Sequence, residues 1–201
     1  MAKNRRGETK VDFQDIVYRA KGLEPGGVRE SEVELARSVL RSGDGNVDGA
    51  LIVVSEWGKR SDAPLLATHL HHESSYTRCE AMTALCRRLG LLDEYWPHVW
   101  SFIDRRDEES DDERLTAIFL CEDFLRKNPK SNLVGCRVVK LFLDESEGDT
   151  ERSSALGAIL AALDPSDSRA SHGISGKRSW PANVDEIIAR AKKQFGCKDA
   201  A

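Results

Sequence analysis

Three segments of this 201-residue chain align without a gap, and that alignment constrains the fold more than anything else in the sequence. They read Arg78-x-x-Ala81-x-x-Ala84-Leu85-x-x-x-Leu89, Arg114-x-x-Ala117-x-x-Leu120-Cys121-x-x-x-Leu125 and Arg152-x-x-Ala155-x-x-Ala158-Ile159-x-x-x-Leu163. The arginines lie 36 and 38 residues apart, and an apolar segment and a polar turn precede each copy. A small residue three places after arginine lets neighbouring helices approach. The apolar positions at offsets of six, seven and eleven complete one face of a 3.6-residue helix. One helix pair cannot bury such a face alone, so pairs are expected to stack.

The remaining chain supports a helical reading. Apolar spacing at Phe13, Ile16, Val17 and Ala20, and again from Val33 to Leu40, has the helical period. Val47 to Trp57 is apolar enough to be a strand or a buried helix, and its neighbours favour helix. Asp62 or Ser61 is placed to cap a short helix through Leu70, and Trp96 to Ile103 reads as another. Asn128-Pro129 and Asp164-Pro165 are stops. The expected organisation is a flexible N-terminus at 1–10, a helical repeat domain at 11–163, a linker or long loop at 164–182, and a C-terminal helix at 183–196 docked on the repeats.

The aligned segments resemble the HEAT-repeat family, whose second helix carries Val-Arg-x-x-Ala-x-x-Ala-Leu. The resemblance covers roughly residues 62–163, with a degenerate copy around 31–58 in which Val47 or Asp48 stands in place of arginine. The valine before arginine is replaced by Thr77, Glu113 and Glu151. The resemblance implies an all-α fold, a right-handed α-α superhelix of about four helix pairs with extra terminal helices. It also implies that Arg78, Arg114 and Arg152 are structural, each bracing an acidic residue of a neighbouring repeat.

Charge is unevenly distributed. The net charge is −4, but Asp104 to Glu151 holds fourteen acidic and eight basic residues, whereas both ends of the chain are mildly basic. Two acidic loops fall at the same turn of successive copies. The first contains Asp104, Asp107, Glu108, Glu109, Asp111 and Asp112, and the second Asp144, Glu145 and Glu147. Stacking would set them side by side and steer a basic partner; as ordinary turns they would supply helix caps. A face at offsets of two, five and nine from each arginine holds Glu80, Thr83 and Arg87; Thr116, Phe119 and Asp123; Ser154, Gly157 and Ala161. In related solenoids this face lines the concave side. Phe119 on it is either a binding anchor or a core residue in a shifted register. Trp57, Trp96, Trp100 and Trp180 are read as core, with an aromatic interface patch as the alternative.

Catalytic and metal signatures are missing from the sequence. His69, His71 and His72 are too tightly spaced to converge on one ion, and no nucleophile elbow, phosphate loop or zinc-protease motif is present. The expectation is a chain with no catalytic residues, no metal and no small-molecule cofactor. The five cysteines, without a CxxC pair, read as reduced thiols. No apolar run has membrane-spanning length, and the basic start at Met1 is followed by no apolar segment. These features point to a cytoplasmic protein. Its expected role is that of a scaffold for a basic protein partner, for example a bacterial immunity protein or antitoxin masking a basic toxin. The competing reading is a nucleic-acid binder akin to the HEAT-like alkylpurine DNA glycosylases, with Arg87, Arg88, Arg126 and Lys127 at helix ends. The acidic centre speaks against it.

Overall fold

The computed structural model describes residues 13–104, 111–166 and 180–197. The expected flexible segment 1–10 and most of the expected linker, residues 167–179, lie outside them. Among the described residues there is no strand: the elements are α1 (Phe13–Ala20), α2 (Glu30–Ser42), α3 (Val47–Trp57), α4 (Ala63–Ala67), α5 (Ser75–Thr83), α6 (Leu92–Asp104), α7 (Asp111–Lys127), α8 (Asn132–Leu143), α9 (Asp149–Leu163) and α10 (Val184–Phe195). The fold is all-α. The chain divides into two compact units, Met1–Asp93 and Glu94–Ala201. The division falls inside the span 11–163, so the first aligned helix belongs to one unit and the other two to the second.

In the first unit α1, α2 and α5 pack on α3. The run Leu51-Ile52-Val53-Val54, ambiguous by pattern, is a helix buried on every side. Asn46 starts it by accepting the Gly49 N–H at 2.8 Å. Polar ties then fix the neighbours. Arg37 of α2 grips Asp62 with two hydrogen bonds of 2.9 and 3.0 Å, and the Thr77 hydroxyl donates to Asp48 at 2.6 Å. Glu32 accepts from Arg19, Arg29 and the Arg29 N–H, and these donors hold its carboxyl well below the usual range. After α4, whose first turn carries Pro64, the chain tightens into a 3-10 turn at Thr68–His71.

The helix expected from Tyr76 to Leu89 is not uniform. Over Ala84–Arg88 it widens into a π turn, in which the Leu89 N–H donates to the Ala84 carbonyl at 3.0 Å. Such a turn inserts one residue into the helical period and rotates the side chains beyond it about the helix axis. Gly90, at φ 68°, ends it.

In the second unit α7 packs along α9, α8 packs on α9, and α10 covers α8 and α9. The Trp96 ring of α6 stacks on Trp100 at 4.6 Å and meets Phe124 of α7 edge-on at 5.1 Å. Ile187, Ile188, Ala191 and Phe195 form the buried face of α10. Phe195 lies flat against Gly135 of α8, where even a methyl group would come within 2.3 Å of the ring.

Candidate functional site

The three aligned arginines share one task. Each reaches back to the end of the helical segment before it, where carbonyls have no intrahelical donor and carry partial negative charge. Arg78 donates to the carbonyls of His72 and Glu73 at 2.5 and 2.8 Å. The Nε–H of Arg114 donates to the Ile103 carbonyl, and that of Arg152 to the Phe142 carbonyl, both at 2.9 Å. Beyond that they differ. Arg114 forms an ion pair of 2.6 Å with Glu147, with both side chains buried. Arg152 instead lies over the rings of Phe142 and Trp180, 5.6 and 4.9 Å from their centroids. The Trp180 indole N–H donates to Ser153 at 2.9 Å, so the end of the expected linker is docked.

The Arg114–Glu147 pair also arranges the acidic edge. Arg114 stands in the first turns of α7 and Glu147 in the turn between α8 and α9. Their contact brings those two acidic stretches together. The carboxylates have separate fates. Glu147 points inward and is absent from the surface where the sequence grouped it. Asp104 is engaged by Arg137 of α8, whose guanidinium also lies 5.6 Å from the Trp100 ring centre. Asp144 folds its own turn, accepting from the Ser146 N–H and hydroxyl at 3.0 and 2.6 Å. Asp112, Glu145 and Asp149 are exposed. Asp107, Glu108 and Glu109, and the side chain of Asp111, lie outside the described residues.

The face at offsets two, five and nine is not one surface. On α7, Phe119 is 46 % exposed, with Thr116 and Asp123 half-buried beside it. On α9, Gly157 and Ala161 are buried, because α10 and α8 occupy the sides that α7 leaves. A concave lining at those two positions is therefore corrected to core. Phe119 sits one helical turn before Asp123 and two turns after Asp112, so an aromatic ring stands between carboxylates on one stripe.

The tryptophans divide as well. Trp96 is buried, Trp100 and Trp180 are half-buried, and Trp57 is exposed while its indole N–H donates to the Ala20 carbonyl at 3.2 Å. His69 is buried with its Nε2 atom unpartnered, and burial lowers its pKa. His71 is exposed, and His72 accepts the Ser74 N–H at 3.1 Å. Among the described residues no three His, Cys, Asp or Glu side chains converge as metal ligands would. Of the helix-end cations, Arg88 is tied to Glu56, Glu80 and Ser55, and Arg126 to Glu122.

The cysteines bring another correction. Cys136 of α8 and Cys197, just past α10, form a disulfide across 61 residues, with their Cα atoms 5.4 Å apart. No local spacing signals that pair. Only the return of α10 onto α8 brings the two sulfurs together. Cys79, Cys86 and Cys121 stand outside that disulfide, and burial pushes Cys86 up to about 12.

No family model matches the sequence, and no curated protein or solved structure is similar to it at a meaningful level. Among the described residues no helix is long and apolar enough to cross a membrane.

Proposed function

We propose that this chain is a non-catalytic helical scaffold of HEAT-like pairs that binds a basic partner protein. The acidic edge at Asp112, Glu145 and Asp149 supplies attraction, and Phe119 is the anchor. One observation carries the reading: an aromatic side chain stands 46 % exposed on a helix whose other faces are packed, on the same stripe as Asp112 and Asp123. Aromatic anchors ringed by charge are what protein interfaces use for affinity and orientation. The packing of α7 along α9 and the arginine reaching back in each copy support a superhelical stacking of pairs. An immunity- or antitoxin-type inhibitor is one concrete form of this function, since such a protein needs a charged docking edge and no chemistry of its own. No observation favours the nucleic-acid reading: Arg88 and Arg126 are committed to carboxylates.

The test places a benzophenone amino acid at position 119 of the full chain, with the same label at exposed Lys193 as control, and identifies what crosslinks in its own cells. The expected product is a basic protein. Its affinity for the purified chain should fall at least about tenfold on Phe119→Ala and on joint reversal of Asp112, Glu145 and Asp149 to lysine, with the salt dependence of binding reduced. Unchanged affinity in both variants rejects the reading. Tight, salt-sensitive binding of double-stranded DNA replaces it with the nucleic-acid one.

A further inference from the structure

The outward face of α8 bears a groove of about 480 Å³ lined by Asn132, Leu133, Arg137, Lys140 and the Cys136–Cys197 disulfide. Both half-cystines are partly exposed, unlike buried Cys86 and Cys121. A disulfide in a groove walled by Lys140 and by Arg137, whose charge is shared with Asp104, is reachable by a thiol, and by an anionic thiol most of all. We propose that Cys136–Cys197 is an exchangeable latch, opened by a small thiol carrying carboxylates that docks beside Lys140 and Arg137. This inference is independent of the partner reading.

The two sulfurs are not equivalent. Asn132 places its side-chain N–H 3.6 Å from the Cys136 sulfur, closer than the Phe195 carbonyl at 4.0 Å, and Lys140 and the Asp104-paired Arg137 share that groove wall. A thiolate leaving from Cys136 is therefore favoured. Cys197 follows the C-terminus of α10, whose partial negative charge disfavours an anion there. The incoming thiolate attacks the Cys197 sulfur. A new sulfur–sulfur bond forms, the protein disulfide breaks, and its electron pair leaves on Cys136 as thiolate, which takes a proton from water. A second thiolate attacks the mixed disulfide at the small-molecule sulfur and releases Cys197 as thiolate. In sum, two small thiols are oxidised to their disulfide and the protein gains two electrons and two protons.

The latch secures the end of α10. Asn132 donates to the Phe195 and Gly196 carbonyls at 2.7 and 3.3 Å, and Gln194 donates to those of Pro129 and Ala162 at 2.6 and 2.9 Å. With these bonds and the Phe195–Gly135 contact in place, opening the disulfide loosens α10 without detaching it.

The test treats the oxidised full chain with glutathione, 2-mercaptoethanol or cysteamine at equal thiolate concentration and low salt. Iodoacetamide quenches the reaction, and mass spectrometry maps the products. The expected order is glutathione, then 2-mercaptoethanol, then cysteamine, with roughly tenfold between the extremes. The adduct should fall on Cys197 and the alkylated thiol on Cys136. Lys140→Glu should reverse the order while circular dichroism stays unchanged; if that variant misfolds, Lys140→Ala should flatten the order. Equal rates for the three thiols in the native chain, an adduct on Cys136, or alkylation of both cysteines before any thiol is added each overturn the proposal. Amide exchange over 184–195 should quicken on reduction, and equally in Cys136→Ser, while α7 is unaffected. Unchanged exchange in α10 overturns the latch.

Discussion

Helices α7 and α9 occupy the same place in the repeat pattern, pack against each other, and end up in different environments. On α7 the polar and apolar faces persist in the structure: Ala117, Ile118 and Cys121 are buried while Asp112 and Phe119 are exposed. On α9 no residue from Ser153 to Leu163 is exposed. Its small residues, Ala155, Gly157, Ala158, Ala161 and Ala162, let α7, α8 and α10 all approach. Periodicity thus tells where a helix is and which stripe faces its pair. What else covers it depends on segments distant in sequence, and here that segment is α10.

The largest expected effect comes from exchanging the residues at the offset of nine. Ala161→Asp puts a carboxylate where no solvent reaches, and should cost roughly 3–5 kcal/mol in urea denaturation. That cost should shrink as pH falls, because a buried carboxyl has a raised pKa and the folded state then binds the proton more tightly. Asp123→Ala, the converse change at a half-buried position of α7, should cost no more than about 1.5 kcal/mol. Similar costs for the two would mean that α9 is not enclosed.

Next comes the contrast between Arg114 and Arg152. Glu147→Ala strands the Arg114 guanidinium in a buried site and should cost roughly 3 kcal/mol. Joint replacement with Arg114→Met should recover much of that, since the pair is then exchanged for apolar contact. Trp180→Ala removes a stacking partner from Arg152 and a hydrogen bond to Ser153, and should cost about 2 kcal/mol. If Glu147→Ala proved the milder of the two, the buried pair would not be what holds the α8–α9 turn to α7.

The positions of the helices were legible because apolar spacing and the Gly, Asn-Pro and Asp-Pro stops are local signals. Val184 to Phe195, for instance, is the span of α10. The inward turn of Glu147 was not legible, because in sequence it looks like Glu145 two residues earlier. Only the approach of Arg114 separates them. The disulfide was hidden for the same reason, with its partners 61 residues apart. The π turn at Ala84–Arg88 has no sequence mark, since Ala84 and Leu85 fit an α-helical stripe equally well. At the candidate site, Phe119 could be noticed as an apolar residue in a polar column, but whether that column faced solvent depended on what α10 covers.

A small effect on stability is expected at Phe119. Its neighbour Leu120 is 2 % exposed and points into the core, so Leu120→Ala should cost 2–5 kcal/mol, roughly the range for large-to-small core changes. Phe119→Ala gives up a ring that is already about half in water, and should cost less than about 1 kcal/mol. The two variants differ by one position on one helix, so thermal melts of the pair read the orientation of α7 directly. A Phe119→Ala variant that melts like the parent but no longer holds its partner would separate binding from folding at that residue. If it melts like Leu120→Ala, Phe119 belongs to the core in the shifted register, and the aromatic anchor is lost from the proposed interface.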